Sequence, residues 1–242
     1  MNVPFFLFPG LACNARLFSF QKQGLAPLCD VIVPEWLEPN GRETLPEFAM
    51  RWEESVWQTY FENGPYALEN GCFIGGLSFG GMVAPIVGER LHTRGVPIHQ
   101  CFRISTVRCG DETPNHLRWL WRSLNLLPGG GWNMAKLVAW FFLHYSGKNA
   151  SFARREVHRQ VLESPVLRCK NVLRMLCAWH APLREYPFPI FQIHGRDDSL
   201  LPLRYTHPDV VFDHAGHCLT LTRSEKLNDT LRRKIQKLII DN

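Results

Sequence analysis

The stretch FIGGLSFGGMVAP, residues 73–85, decides how the rest of the chain is read. An apolar run ends in a glycine pair, a single serine follows at position 78, and a second glycine pair opens another apolar run. A strand that turns sharply into a helix holds the residue at its apex in a strained backbone conformation, and the residues two positions away must be small to avoid clashes. Gly76 and Gly80 meet that need around Ser78. The turn lifts the hydroxyl clear of the sheet and sets it at a helix N-terminus, where backbone N–H groups and the helix dipole favour developing negative charge. In isolation Gly-x-Ser-x-Gly also occurs in ordinary loops. A serine hydroxyl is a weak nucleophile at neutral pH, so a catalytic reading requires a base and a carboxylate elsewhere in the chain.

On both sides of this stretch, short apolar runs alternate with segments of helical period. The runs at 5–8, 30–33, 71–75, 100–106, 190–194 and 210–212 read as strands, and 45–62, 79–94 and 224–240 read as helices, the last preceded by Thr222 and Ser224 as caps. Such alternation predicts an α/β fold with a parallel sheet covered on both faces. The alternation breaks between residues 111 and 185. That region is rich in Trp, Leu and Arg, carries helical patterns in HLRWLWRSLNLL and ASFARREVHRQVLE, and contains LPGGGW as a turn. It reads as a helical cap inserted between two parts of a core, 1–110 and 186–242.

Composition narrows the function classes. The 242 residues are 45% hydrophobic and 12% aromatic, enough for one domain with a substantial core. No apolar run approaches the ~18 residues of a membrane span, and MNVPFFLFPG reads as a buried strand of a cytoplasmic protein rather than a leader. The eight cysteines lack zinc-site spacing and read as reduced structural thiols, Cys13 and Cys218 among them. A formal charge of +5 with no long basic run argues against nucleic acid as a partner. No cluster has metal-ligand spacing and GLACNA lacks the glycines of a phosphate loop, so neither a metal nor a cofactor is expected.

The base and the carboxylate follow in the chain. FQIHGRDDSLLP, residues 191–202, ends a strand in Gly195 and offers Asp197 and Asp198; VVFDHAGHCLTL, residues 210–221, offers His214 and His217, with His207 just before it. The order serine, aspartate, histidine resembles that of the α/β-hydrolase superfamily, and the likeness runs over nearly the whole chain. It implies a Ser78–His217–Asp198 triad. In that family the acid stands three residues after the loop glycine and four before a proline, spacings that Asp198 meets from Gly195 and Pro202 and Asp197 misses by one. AGH at 215–217 matches the family's histidine loop, which leaves His194, His207 and His214 as ordinary loop or packing residues. FPGLACNARLF, residues 8–18, is similar to the family's oxyanion loop with Pro9 in place of the usual histidine, and implies the backbone N–H groups of Leu11 and Phe79 as oxyanion donors.

The chain departs from the family's usual layout in two respects. It begins with the strand before the oxyanion loop, which leaves a minimal sheet of about six strands, and PEWLEPNGRETL replaces the motif expected after the second strand. What the resemblance implies is a serine hydrolase acting on carboxylic esters through an acyl-enzyme. The same residues serve thioesterases and carbon-carbon bond hydrolases, and a silent ligand-binding relative would retain the fold. Phe141 and Phe142 are candidates for the apolar wall of an acyl pocket. Residues 111–185 carry eleven Lys and Arg against five Asp and Glu, a net +6, while the remainder carries −1. A basic lid suits an acidic acyl-carrier protein, with Arg154, Arg155 and Arg159 as candidate contacts, and the chain resembles short capped carboxylesterases such as those that cleave the methyl ester of a pimeloyl-acyl-carrier protein. The bland alternative is a solvated helix face.

Overall fold

The computed structural model describes residues 2–128 and 149–240. Six strands form one sheet: β1 (Val3–Phe8), β2 (Cys29–Ile32), β3 (Cys72–Leu77), β4 (Ile98–Ile104), β5 (Ile190–Gly195) and β6 (Val210–Phe212). Their order is β2-β1-β3-β4-β5-β6 and every pairing is parallel. All six sequence-predicted strands are present, shifted by at most two residues at either end. β1 and β3 are buried along almost their whole length, as strands covered on both faces must be.

The alternation of side chains along β1 sorts residues between two cores. Phe6 and Phe8 point into one, with α2 (Leu45–Val56) and α3 (Phe79–Thr93); Phe5 and Leu7 point into the other, with α1 (Ser19–Leu25) and the C-terminal helix (Ser224–Ile240). α2 starts on a capping box in which Thr44 Oγ1 accepts from Glu47 N–H while the Glu47 carboxylate accepts from Thr44 N–H. Where the sequence predicted one helix over 45–62, α2 ends at Val56 and the chain widens into a π-helical stretch at 57–62.

Between β4 and β5 the described residues form three helices: α4 (Asn115–Leu126), α5 (Ala150–Glu163) and α6 (Val166–Ala178). They do not share one core of their own. Cys169, Val172, Leu173, Met175 and Leu176 of α6 join the α2–α3 side, whereas Ala153 and Val157 of α5 join the opposite side. Of the predicted LPGGGW turn only Leu127 and Pro128 are described, and the rest lies outside the described residues.

Trp52 is the largest fully buried side chain. Its ring packs edge-on against Phe8 at 4.8 Å, lies 4.9 Å from Trp36 and 5.2 Å from Phe48, and its indole N–H donates to Glu35 O at 2.9 Å. Replacing it with alanine removes these contacts and strands the Glu35 carbonyl. Trp52→Ala is expected to lower the unfolding free energy by ~3–5 kcal/mol in a urea titration, and Trp52→Phe by less.

Candidate active site

Ser78 sits at the apex between β3 and α3 with φ 57° and ψ −120°, a left-handed backbone that a non-glycine residue takes only under constraint. Tertiary contacts supply that constraint. A Cβ on Gly80 would lie 2.0 Å from Phe8 O, and one on Gly76 would lie 2.3 Å from the Gly80 carbonyl carbon, so β1, β3 and the start of α3 meet backbone to backbone. Ser78 N–H donates to Ile104 O at 3.0 Å, and Ser78 O accepts from Thr106 Oγ1 at 2.7 Å and Gly81 N–H at 2.9 Å.

The loop after β1 lies against this apex, since a Cβ on Gly10 would stand 3.4 Å from Ser78 Cβ. Cys13 N–H closes a turn on Gly10 O at 3.0 Å, Ala12 has φ 61°, and Cys13 O accepts from the Trp36 indole at 2.6 Å. Among the described residues neither Leu11 N–H nor Phe79 N–H donates to a protein acceptor. The Cys13 thiol is pushed up to about 12, first by burial, then by Cys169 and Glu156. It is an inert neighbour of the serine.

The loops after β5 and β6 clasp one another at the same, C-terminal edge of the sheet. Arg196 N–H donates to Phe212 O at 3.0 Å and Asp197 N–H to Ala215 O at 2.9 Å. Asp198 is buried and its Oδ2 lies 2.8 Å from His217 Nδ1, while Asp197 is exposed. Asp198 Oδ1 accepts from Leu200 N–H and Leu201 N–H, both at 2.9 Å. A carboxylate only accepts, so His217 Nδ1 carries the proton and Nε2 presents a lone pair. Burial raises the Asp198 carboxyl, but the His217 ring and the hydrogen bonds of His194 and His217 outweigh it and hold the group well below the usual carboxylate range.

His194 is the residue the sequence reading undervalued. It is fully buried, and its Nε2 lies 2.8 Å from Leu201 O and 3.3 Å from Asp198 Oδ2. The Leu201 carbonyl fixes Nε2 as the protonated nitrogen, so this N–H also faces Asp198 Oδ2, the oxygen that His217 meets. The only signal available in the sequence was its place four residues before Asp198 at the end of a strand. His207 and His214 are exposed, as expected of loop histidines.

The other named candidates divide. Phe141 and Phe142 lie outside the described residues. Arg154 and Arg155 are exposed on α5. Arg159 is held by Glu156 at 2.9 Å, and Arg16 also meets Glu156 at 2.7 Å and pairs with Glu163. Gln160, which no sequence signal singled out, ties α5 to the loop after β1: its Oε1 accepts from Asn14 N–H at 2.8 Å, and its Nε2 donates to Glu156 of the same helix at 2.9 Å. Among the described residues no group of His, Cys, Asp and Glu is placed to hold a metal ion, and no helix is long and apolar enough to cross a membrane.

A six-stranded parallel sheet in the order β2-β1-β3-β4-β5-β6, with helices on both faces, has known structural counterparts. An esterase from Thermogutta terrifontis superposes with a TM-score of 0.74 at 18% identity, covering 98% of this chain and 91% of its own. The chain has the α/β-hydrolase fold. A carboxylesterase from the thaumarchaeon Nitrososphaera gargenis matches at TM-score 0.73 and 14% identity over 100% of this chain and 92% of that one. ClbQ of the colibactin pathway matches at TM-score 0.68 and 17% identity over the full length of both. No protein-family model and no curated protein sequence matches the chain.

The depressed Asp198 carboxyl links the site to stability. Its ionised form is favoured in the folded state, so the stabilisation is complete above the unfolded value of ~3.9 and is lost as pH falls toward the lower folded value. Chemical denaturation followed from pH 6 to pH 3 should show wild type losing stability more steeply than Asp198→Asn, which has no such carboxylate to protonate.

Proposed function

We propose that the protein is a serine hydrolase that cleaves carboxylic esters through an acyl-enzyme, with Ser78 as nucleophile, His217 as general base and Asp198 as the acid that orients it. The observation that carries this reading is the Nδ1-protonated His217 bound to buried Asp198, at the same sheet edge as a serine strained to φ 57°. Ser78 Oγ attacks the ester carbonyl as His217 Nε2 takes its proton. The charge that develops on the carbonyl oxygen is met by Leu11 and Phe79 N–H, each donor worth ~2.7–4 kcal/mol in the transition state. His217 then protonates the departing alcohol, and water repeats the cycle on the acyl-serine. In this reading residues 111–185 act as a lid over the site, and α5 is tied to the oxyanion loop through the hydrogen bond from Asn14 N–H to Gln160.

The test is a series of p-nitrophenyl esters with wild type and Ser78→Ala. Turnover in Ser78→Ala should fall by at least about a thousandfold with the melting temperature little changed, and a fluorophosphonate should label wild type alone. Esterase activity of Ser78→Ala within tenfold of wild type would remove the serine from its role.

The second reading concerns what the acyl group is attached to. The net +6 of residues 111–185 and the exposure of Arg154 and Arg155 on α5 support an acidic acyl-carrier protein. Reversing charge at both Arg154 and Arg155 should reduce kcat/KM for a carrier-linked ester several-fold more than for the free ester, and the carrier reaction should slow as salt rises. Equal effects on the two substrates would leave a hydrolase of free small esters.

A further inference from the structure

On the face of the sheet that carries α3, a cleft of about 390 Å³ opens beside β4 and β5, and Ser78, Asp198 and His217 are not among its lining residues. Its floor is polar. Arg103 of β4 is 3% exposed, and in the sheet it stands between Gly76 of β3 and Gln192 of β5. Its Nε is buried without a hydrogen-bond partner, and no carboxylate among the described residues lies within ion-pair distance of it. The other cations lining the cleft are already engaged: Arg108 by Glu112 at 2.5 Å and Arg184 by Glu89. Two carboxylates also line the cleft: Asp209 accepts from the Gln192 N–H at 2.7 Å, and Glu185 is exposed. An uncompensated guanidinium in a sheet interior is costly unless an anion or water meets it.

Gln192 sharpens the chemistry. Its Nε2 donates to Thr106 O at 2.9 Å and meets Thr206 Oγ1 at 2.7 Å, which fixes the orientation of the amide, and its Oε1 is left buried without a donor. The floor therefore offers a strong donor in need of an acceptor and, one strand away, an acceptor in need of a donor. The Tyr186 ring covers the guanidinium at 5.7 Å, and His207 completes the lining.

We propose that this cleft is a second binding site, separate from the serine, for a small oxyanion that also carries an O–H group: a protonated phosphate or a hydroxycarboxylate. The anionic oxygens face Arg103 and the hydroxyl donates to Gln192 Oε1. Binding there does not require esterase activity.

Two pairs of probes isolate the O–H requirement. Phosphate carries a P–OH at neutral pH where sulfate has none, and lactate carries a hydroxyl that acetate lacks. At matched ionic strength, wild type and Ser78→Ala should both melt about 2–4 °C higher in phosphate than in sulfate, or in lactate than in acetate, once the probe is several times its Kd. The pair that responds names the head group. Arg103→Met should abolish the difference. Equal responses within both pairs, or an undiminished difference in Arg103→Met, would overturn the site. Should Arg103→Met fail to fold, calorimetric titration of wild type decides the same point: saturable binding of phosphate or lactate, together with none of sulfate or acetate, supports the site, and any other pattern rejects it.

Discussion

The backbone crossing at residues 76–80 is the constraint on which the rest of the molecule depends. β1 and the first turn of α3 approach so closely that Phe8 O occupies the space a Gly80 side chain would need. That approach fixes the distance between the sheet and its first helix, holds Ser78 in a conformation it would not choose, and delivers Phe79 into the aromatic group around Trp36, where the two rings stack 5.8 Å apart. Strain at one residue is sustained because several well-packed large side chains would have to move to relieve it.

A buried carboxylate poses the opposite problem, being tolerable only when every lone pair is answered. Asp198 meets this with two backbone N–H groups on one oxygen and two histidines around the other. The donors come from its own loop, from the strand before it and from the loop after the next strand. The acid is therefore set by the parallel order of β5 and β6 as much as by its own sequence. The tie from Gln160 to Asn14 works in the same way, joining an inserted helix to the loop beside the serine.

These long-range relations mark where the sequence ceased to be legible. The six strands and the serine turn could be read because apolar period and glycine spacing are local signals. α1 (Ser19–Leu25) is too short for its period to register, and α6 (Val166–Ala178), which packs against both α2 and α4, was not among the helical patterns read from the sequence. His194 looked like a packing residue, and its relation to Asp198 arises only when the chain folds back after Gly195. Arg103 lies in a strand that reads as apolar, and its isolation from any carboxylate is a property of the neighbours that the sheet provides. Of the two adjacent aspartates, the one at the spacing the resemblance implied, Asp198, is buried against His217, and Asp197 is exposed.

All eight cysteines are buried thiols, and burial pushes Cys13, Cys29 and Cys101 up to about 12. Seven of them lie in the two cores, from the edge strand β2 to α6. A thiol of this kind reacts with an alkylating reagent only while its surroundings are open. The chain thus carries eight internal clocks without any engineered label: brief exposure to iodoacetamide followed by peptide mapping would record how often each layer opens, and whether the inserted helices come away before the sheet does.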